Sequence, residues 1–137
     1  MTFEGLAKSY FEKAMVRLEV LYFLKEKKAF SDVVREAQEA VELATKGMLR
    51  MKGIEPPKYH DVSYLILELR QTFHELQDHE IHELVRISKR LRKERELAFY
   101  GDVDFIPTIE YKESDALQAI QETEFVINVA KKIFSIE

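Results

Sequence analysis

Apolar residues recur along this chain at steps of three and four, the spacing that gathers side chains on one face of an α-helix. Phe3, Ala7, Tyr10, Ala14, Leu18 and Leu21 or Tyr22 predict a first helix from about Phe3 to Lys28. A break at Ala29-Phe30 leads to Ser31 or Asp32, either of which can cap a second helix. That helix runs to about Met51 with Val33, Ala37, Ala40, Val41, Ala44, Met48 and Met51 in a stripe, and its alanines let a neighbouring helix approach closely. Gly53 and Pro56-Pro57 stop the pattern, and Asp61 is placed to cap a third helix carrying Val62, Leu65, Ile66, Leu69, Phe73 and Leu76. Asp78 or His79 opens a fourth, to about Tyr100, with Ile81, Leu84, Ser88, Leu91, Arg95 and Ala98 in register, which sets Arg95 on or beside an apolar stripe. After Gly101-Asp102 the stretch Val103 to Tyr111 reads as an ordered loop. Ser114 or Asp115 then begins a last helix with Ala116, Leu117, Ile120, Thr123, Ile127, Ala130 and Phe134 facing inward. The pattern predicts an all-α protein: an antiparallel up-and-down bundle of about five helices, one domain over residues 1–137, with no internal repeat.

Composition narrows this further. Average usage of Gly and Pro would give about 16 residues in a chain of this length; this chain has 7, clustered mainly at 53–57 and 101–107, which removes the frequent turns of an all-β sandwich. The absence of cysteine excludes disulfides, a thiolate nucleophile and any Cys-ligated metal. The first residues lack a basic segment followed by an apolar core, and no apolar run approaches the ~20 residues that span a bilayer. A soluble cytoplasmic protein without a membrane segment is expected. One Asn beside 19 Glu and 13 Lys resembles the surface chemistry of proteins from hot environments.

Net charge is −4, but residues 86–95 hold six bases and one acid, leaving 15 bases against 24 acids elsewhere. A basic helix on an acidic body could attract phosphate or a negatively charged partner, with Phe99 and Tyr100 following at once as stacking surfaces. The alternative is a solvated face in which Glu80, Glu83, Glu94 and Glu96 partner the bases. Glu42 and Lys46, at i,i+4, read as a helix ion pair. His79 and His82 are spaced i,i+3 and so miss the H-E-x-x-H zinc geometry. They read as exposed side chains at a helix start, and His60 as a turn residue; no metal or cofactor is expected. Four glycines cannot form a dinucleotide or Walker loop, and no G-x-S-x-G elbow exists. In the first helix Phe11, Met15, Val20 and Phe23 fall off the main stripe, more apolar surface than one small bundle needs.

Several segments together resemble the HEPN family of small helical proteins: Ala37-Gln-Glu-Ala-Val-Glu42-Leu-Ala-Thr-Lys46-Gly-Met-Leu, then Gly53-Ile-Glu-Pro-Pro, then His60-Asp61, then Arg95-Glu-Leu-Ala-Phe99-Tyr100-Gly101-Asp102, then Asp115-Ala116. The similarity spans nearly the whole chain, and the order and spacing of the pieces are more specific than any one of them. The resemblance implies a helical homodimer, often encoded beside a minimal nucleotidyltransferase and often the toxin half of a toxin–antitoxin pair. Many members are metal-independent ribonucleases whose motif is an Arg followed after four to six residues by a His. There the Arg stabilises phosphate charge and the imidazole moves protons.

This sequence departs from that motif. Aligning Leu97-Ala98 with the family's Leu-Ala puts Phe99 where the His belongs, and no His follows His82. Phe cannot move a proton, and Tyr is a poor base near neutral pH, with a reference pKa of about 10. The resemblance therefore carries over the position of a cleft around Arg92, Arg95, Phe99, Tyr100 and Asp102, without the activity. The favoured reading is a non-catalytic homodimeric interaction module that partners a nucleotidyltransferase. The alternatives are a nucleotide or RNA binder at those residues, and a ribonuclease with a site rebuilt from Arg95, Tyr100 and Asp102. Arg95 also has a purely structural reading, its stem on Leu91 and Ala98 and its head paired with a carboxylate.

Overall fold

The structure, a computed structural model, describes residues 2–58 and 62–136. The side chain of Phe3, the His60 turn and the Asp61 cap lie outside the described residues. Six helices and no strand occur among the described residues: α1 (Thr2–Glu26), α2 (Phe30–Met51), α3 (Ser63–Glu68), α4 (Asp78–Phe99), α5 (Pro107–Glu110) and α6 (Glu113–Phe134). The four long helices form the predicted bundle. None of these helices is long and apolar enough to cross a membrane.

α2 is the central element, packed against α1, α4 and α6. Its predicted stripe is buried at Val33, Ala37, Ala40, Val41, Ala44 and Met48, while Met51 at its end is only partly buried. Alanine at three of these positions, 37, 40 and 44, allows helices on three sides to reach it. Leu84 and Leu91 of α4, Ile120, Ile127 and Phe134 of α6, and Ala7, Ala14 and Leu21 of α1 complete the core.

Local differences from the sequence reading have physical reasons. α2 starts without a side-chain cap: Ala29 stands at its N-cap, Val33 N–H bonds to the Ala29 carbonyl at 3.1 Å, and Ser31 and Asp32 lie inside the first turn. The third helix stops at Glu68 rather than continuing to Leu76. Residues 69–76 proceed instead through three-residue hydrogen-bonded turns, with Thr72 N–H to Leu69, Phe73 N–H to Arg70 and Leu76 N–H to Phe73 at 2.8–3.0 Å. Such turns also bring side chains three apart onto one face, so Phe73 and Leu76 are buried without an α-helix. The 103–111 loop contains one helical turn, α5, because Pro107 occupies a first-turn position where its missing N–H costs nothing. This raises the helix count from about five to six. Leu117 is 40% exposed, against an inward expectation.

α1 shows the largest correction. Phe11, expected off the stripe, is buried and stacks on Phe134 at 4.8 Å between ring centroids. Met15 and Phe23 do face outward, joined by Val16, which the stripe argument had not singled out; Val16 and Phe23 are each 57% exposed.

Candidate functional site

α4 carries its bases on several sides of the helix, and the bundle meets them with carboxylates. Glu122 of α6 is buried and accepts from Arg86 Nη2 at 3.1 Å, from Arg90 Nε at 2.9 Å and Arg90 Nη2, and from Gln118 Nε2 at 3.3 Å. Arg86 also holds Glu83 through two bonds of 2.8 Å. Bonding to Glu83 and then Glu122 raises its guanidinium pKa above an already high value. On the other side, Arg92 Nη1 lies 3.3 Å from Glu42 Oε1 and Arg95 Nη2 3.1 Å from Glu39 Oε1, both acids belonging to α2. Lys46 and Gln38 bond to the same Glu42 at 3.0 and 2.7 Å. Burial opposes ionisation of Glu42, but the bonds from Lys46 and Gln38 and the charges of Lys46 and Arg92 outweigh it and hold this carboxyl below the usual range. The expected Glu42–Lys46 pair is thus part of an α1-facing network between α2 and α4. Lys89 and Lys93 are exposed, as is Arg86 in part despite its two carboxylate partners.

At the C-terminal end of α4 the chain forms a shallow cleft of about 160 Å³ lined by Arg35, Arg95, Glu96, Phe99 and Tyr100. The Arg35 guanidinium sits 5.0 Å above the Phe99 ring, a cation–π geometry. Tyr100 meets Phe99 edge to face at 4.8 Å and is 77% exposed. Arg35 bonds to Glu36 at 3.0 Å and approaches Glu39 at 3.6 Å, so Glu39 lies between the two arginines. Glu39 also lines a wider groove of about 340 Å³ with Tyr10, Lys13, Arg17, Glu42, Leu43 and Lys46.

Of the residues singled out in the sequence, the structure brings Arg95, Phe99 and Tyr100 together. Arg92 is turned to Glu42 and does not line the cleft. Asp102 does not line it either: its Oδ1 accepts the Val103 N–H at 2.7 Å within a tight turn. The carboxylate partner foreseen for Arg95 is Glu39. Arg35 was missed, although Arg35, Glu39, Glu42 and Lys46 recur at helical spacing opposite the buried stripe of α2, a polar stripe the sequence displays.

No imidazole lies by the cleft among the described residues. His82, whose Nδ1 is 2.8 Å from the Asp78 carbonyl, stands seventeen positions before Phe99, which places it about 25 Å away along a helix rising 1.5 Å per residue. His74 and His79 are also exposed. No three His, Asp or Glu side chains among the described residues converge as a metal site. Chemically the cleft presents two guanidiniums and the Glu96 carboxylate beside the rings of Phe99 and Tyr100.

With this geometry in view, the HEPN domain family model matches residues 7–133. The chain belongs to the HEPN domain family. No curated protein matches its sequence. Within this HEPN domain the ring of Phe99 is half exposed, with the Arg35 guanidinium over one face.

Proposed function

We propose that this HEPN domain is a non-catalytic homodimeric interaction module, with a nucleotidyltransferase as its second partner in a toxin–antitoxin-like or stress-response pair. The observation that carries the reading is the outer face of α1. Val16, Val20 and Phe23 follow one another at i, i+4 and i+7, with Met15 and Tyr22 beside them, and four of these five are classed as exposed. Contiguous apolar surface of this kind marks an interaction site on a soluble domain. Tyr22 is oriented by its hydroxyl, which donates to Glu124 of α6 at 2.5 Å. Burial and that bond push its pKa up to about 12, so the hydroxyl stays protonated and the edge of the face stays fixed. Phe99 in place of the imidazole supports the non-catalytic part.

The test is the mass of the purified chain in solution. A dimer is expected for the native chain, and a monomer of unchanged helix content for the Val16→Glu, Phe23→Glu double variant. A native monomer that fails to co-purify with the nucleotidyltransferase of the adjacent reading frame would overturn the reading.

A second reading, a nucleotide or RNA binder, is favoured by the Arg35, Arg95, Phe99 and Tyr100 cleft, where a base can stack while a guanidinium meets phosphate. It requires fluorescence-detected binding that weakens with salt and is lost on Arg35→Ala with Arg95→Ala. The rebuilt-ribonuclease alternative has Asp102 outside the cleft, with its Oδ1 accepting the Val103 N–H. RNA cleavage indifferent to chelators and abolished by Arg95→Ala would support it.

A further inference from the structure

The outer side of α1 carries a narrow strip of alternating charge and apolar surface. Glu12, Val16, Phe23 and Lys27 recur at steps of four, seven and four, so at about 3.6 residues per turn they stay in line, opposite the buried Ala7, Ala14 and Leu21. Lys27 lies just past the helix and keeps to that line: its N–H bonds to the Phe23 carbonyl at 3.1 Å, and its Nζ is 5.4 Å from the centre of the Phe23 ring. By the same helical geometry Glu19 and Glu26 flank the strip on one side, Lys13 and Val20 on the other. All eight are exposed except Val20, which is half-buried.

These charges are not used within the chain. Lys8 pairs with Glu4 at 3.4 Å, but among the described residues Glu12, Lys13, Glu19, Glu26 and Lys27 make no ion pair. A solvated helix gains from opposite charges at i,i+4; here Glu12 has Val16 four residues on, Lys13 has Arg17 and Glu19 has Phe23.

The strip complements itself when α1 is turned end over end about a two-fold axis between Glu19 and Val20. Val16 then meets Phe23 of the second copy, Glu12 meets Lys27, Lys13 meets Glu26 and Glu19 meets Val20, each pair occurring twice. The sides agree as well, because the two-fold sets the Lys13 and Val20 flank of one helix against the Glu19 and Glu26 flank of the other. Glu19 is the one charge of the strip left without an opposite. A parallel pairing would instead set Glu12, Glu19 and Lys27 each against itself. An antiparallel pairing slid by seven residues sets either Val16 or Phe23 on itself, and it keeps one kind of ion pair, Lys13 with Glu19 or Glu19 with Lys27, where the first register has two.

We propose that two copies of this chain dock through α1, antiparallel and in this register, with Val16 and Phe23 interleaved between Glu12–Lys27 and Lys13–Glu26 ion pairs. The occupant follows from charge complementarity under a two-fold, which an isologous interface requires. The inference rests on reading the outer face of α1 as the homodimer surface, and it adds the direction, the register and the residues that fix them.

The chain has no cysteine, so engineered ones report on the register without background. Val16→Cys and Phe23→Cys chains are oxidised separately and after mixing, beside a measurement of the mass of the native chain in solution. A disulfide-linked dimer should form in the mixture and in neither variant alone. Linkage of Cys variants at position 16 alone, at position 23 alone, or at both separately would overturn the register in favour of a slid or parallel pairing. Charge reversal supplies a readout that leaves Val16 and Phe23 intact. Glu12→Lys and Lys27→Glu should each weaken the dimer about tenfold, and the two together should restore it to within about threefold of the native chain. A double variant as weak as the two losses combined would overturn the pairing. A native dimer that fails both tests would overturn this register and leave the homodimer standing, whereas a native monomer would overturn both.

Discussion

Replacing Glu122 with Gln asks whether the bases of α4 are scaffold or free binding surface. The substitution keeps the shape of the side chain and removes its charge. Glu122 is only 7% exposed and is the shared acceptor for Arg86 and Arg90. Breaking a fully buried pair costs about 3–5 kcal/mol, whereas an exposed pair is worth about 0–1 kcal/mol. Here the acid is buried, while the side chains of Arg86 and Arg90 are 50% and 29% exposed. Arg86 also keeps Glu83. The expected cost therefore lies between those limits, at about 2 kcal/mol. For a chain of this size that corresponds to a drop of about 6–10 °C in melting temperature. A double-mutant cycle of Glu122→Gln and Arg90→Gln in urea should give a coupling of about 1 kcal/mol or more, as contacting pairs do. A coupling below about 0.3 kcal/mol, within the range of independent sites, would refute the reasoning and return α4 to the status of a free basic surface.

Phe11→Ala should destabilise the fold by about 3–5 kcal/mol because it empties a buried, stacked position, while Phe23→Ala should change unfolding of the monomer by no more than about 0.5 kcal/mol; chemical denaturation of both separates the two faces of α1. Gly101→Ala should cost about 2 kcal/mol or more, from the strain of an L-residue at positive φ and the clash with Phe105 and Pro107, read as a lower melting temperature. Acid should weaken the fold through Glu42, Glu75 and Glu80, whose burial is outweighed by bonds from Lys46, Lys52 and the Gln77 N–H respectively, so that each folded carboxyl titrates below its ordinary value near 4.5. Their stabilisation is fully present above the unfolded value and is lost as pH falls from there through the lowered folded values; a melting temperature flat between about pH 3 and pH 6 would contradict this. Single-stranded RNA, if it binds at the cleft through Arg35 and Arg95 alone, should show a log–log salt slope of about −1.4, against about −4 if all six bases of residues 86–95 were engaged.

The long helices were legible because burial imposes a period of 3.6 on them, and α2 shows how well that works: every residue of its predicted stripe through Met48 is buried. The same rule overreached from Leu69 to Leu76, since turns of three residues and helices of 3.6 both place Phe73 and Leu76 inward. It also misjudged Phe11, which sits at the margin of the stripe as drawn. Which margin becomes core depends on where α6 lies, and the ring of Phe134 that covers Phe11 is 123 positions away in the chain. Periodicity reports a face; a neighbour decides how wide that face is.

The site was legible in part for the same reason. Arg95, Phe99 and Tyr100 are close in sequence and fall together at one helix end, so their grouping follows from local geometry. Whether an arginine is available to a ligand is instead a property of the opposite helix. Glu122 neutralises Arg86 and Arg90 from 36 and 32 positions away, and Glu42 takes Arg92 from 50. Six bases in ten residues thus describe a helix that is largely tied to its own bundle, and the cation that stands over Phe99 comes from α2, outside the basic window altogether. Local charge density is therefore a poor guide to binding surface: α4 is basic chiefly because α2 and α6 are acidic toward it, and on this helix cationic and aromatic groups meet at the end where Arg35 and Arg95 flank exposed rings.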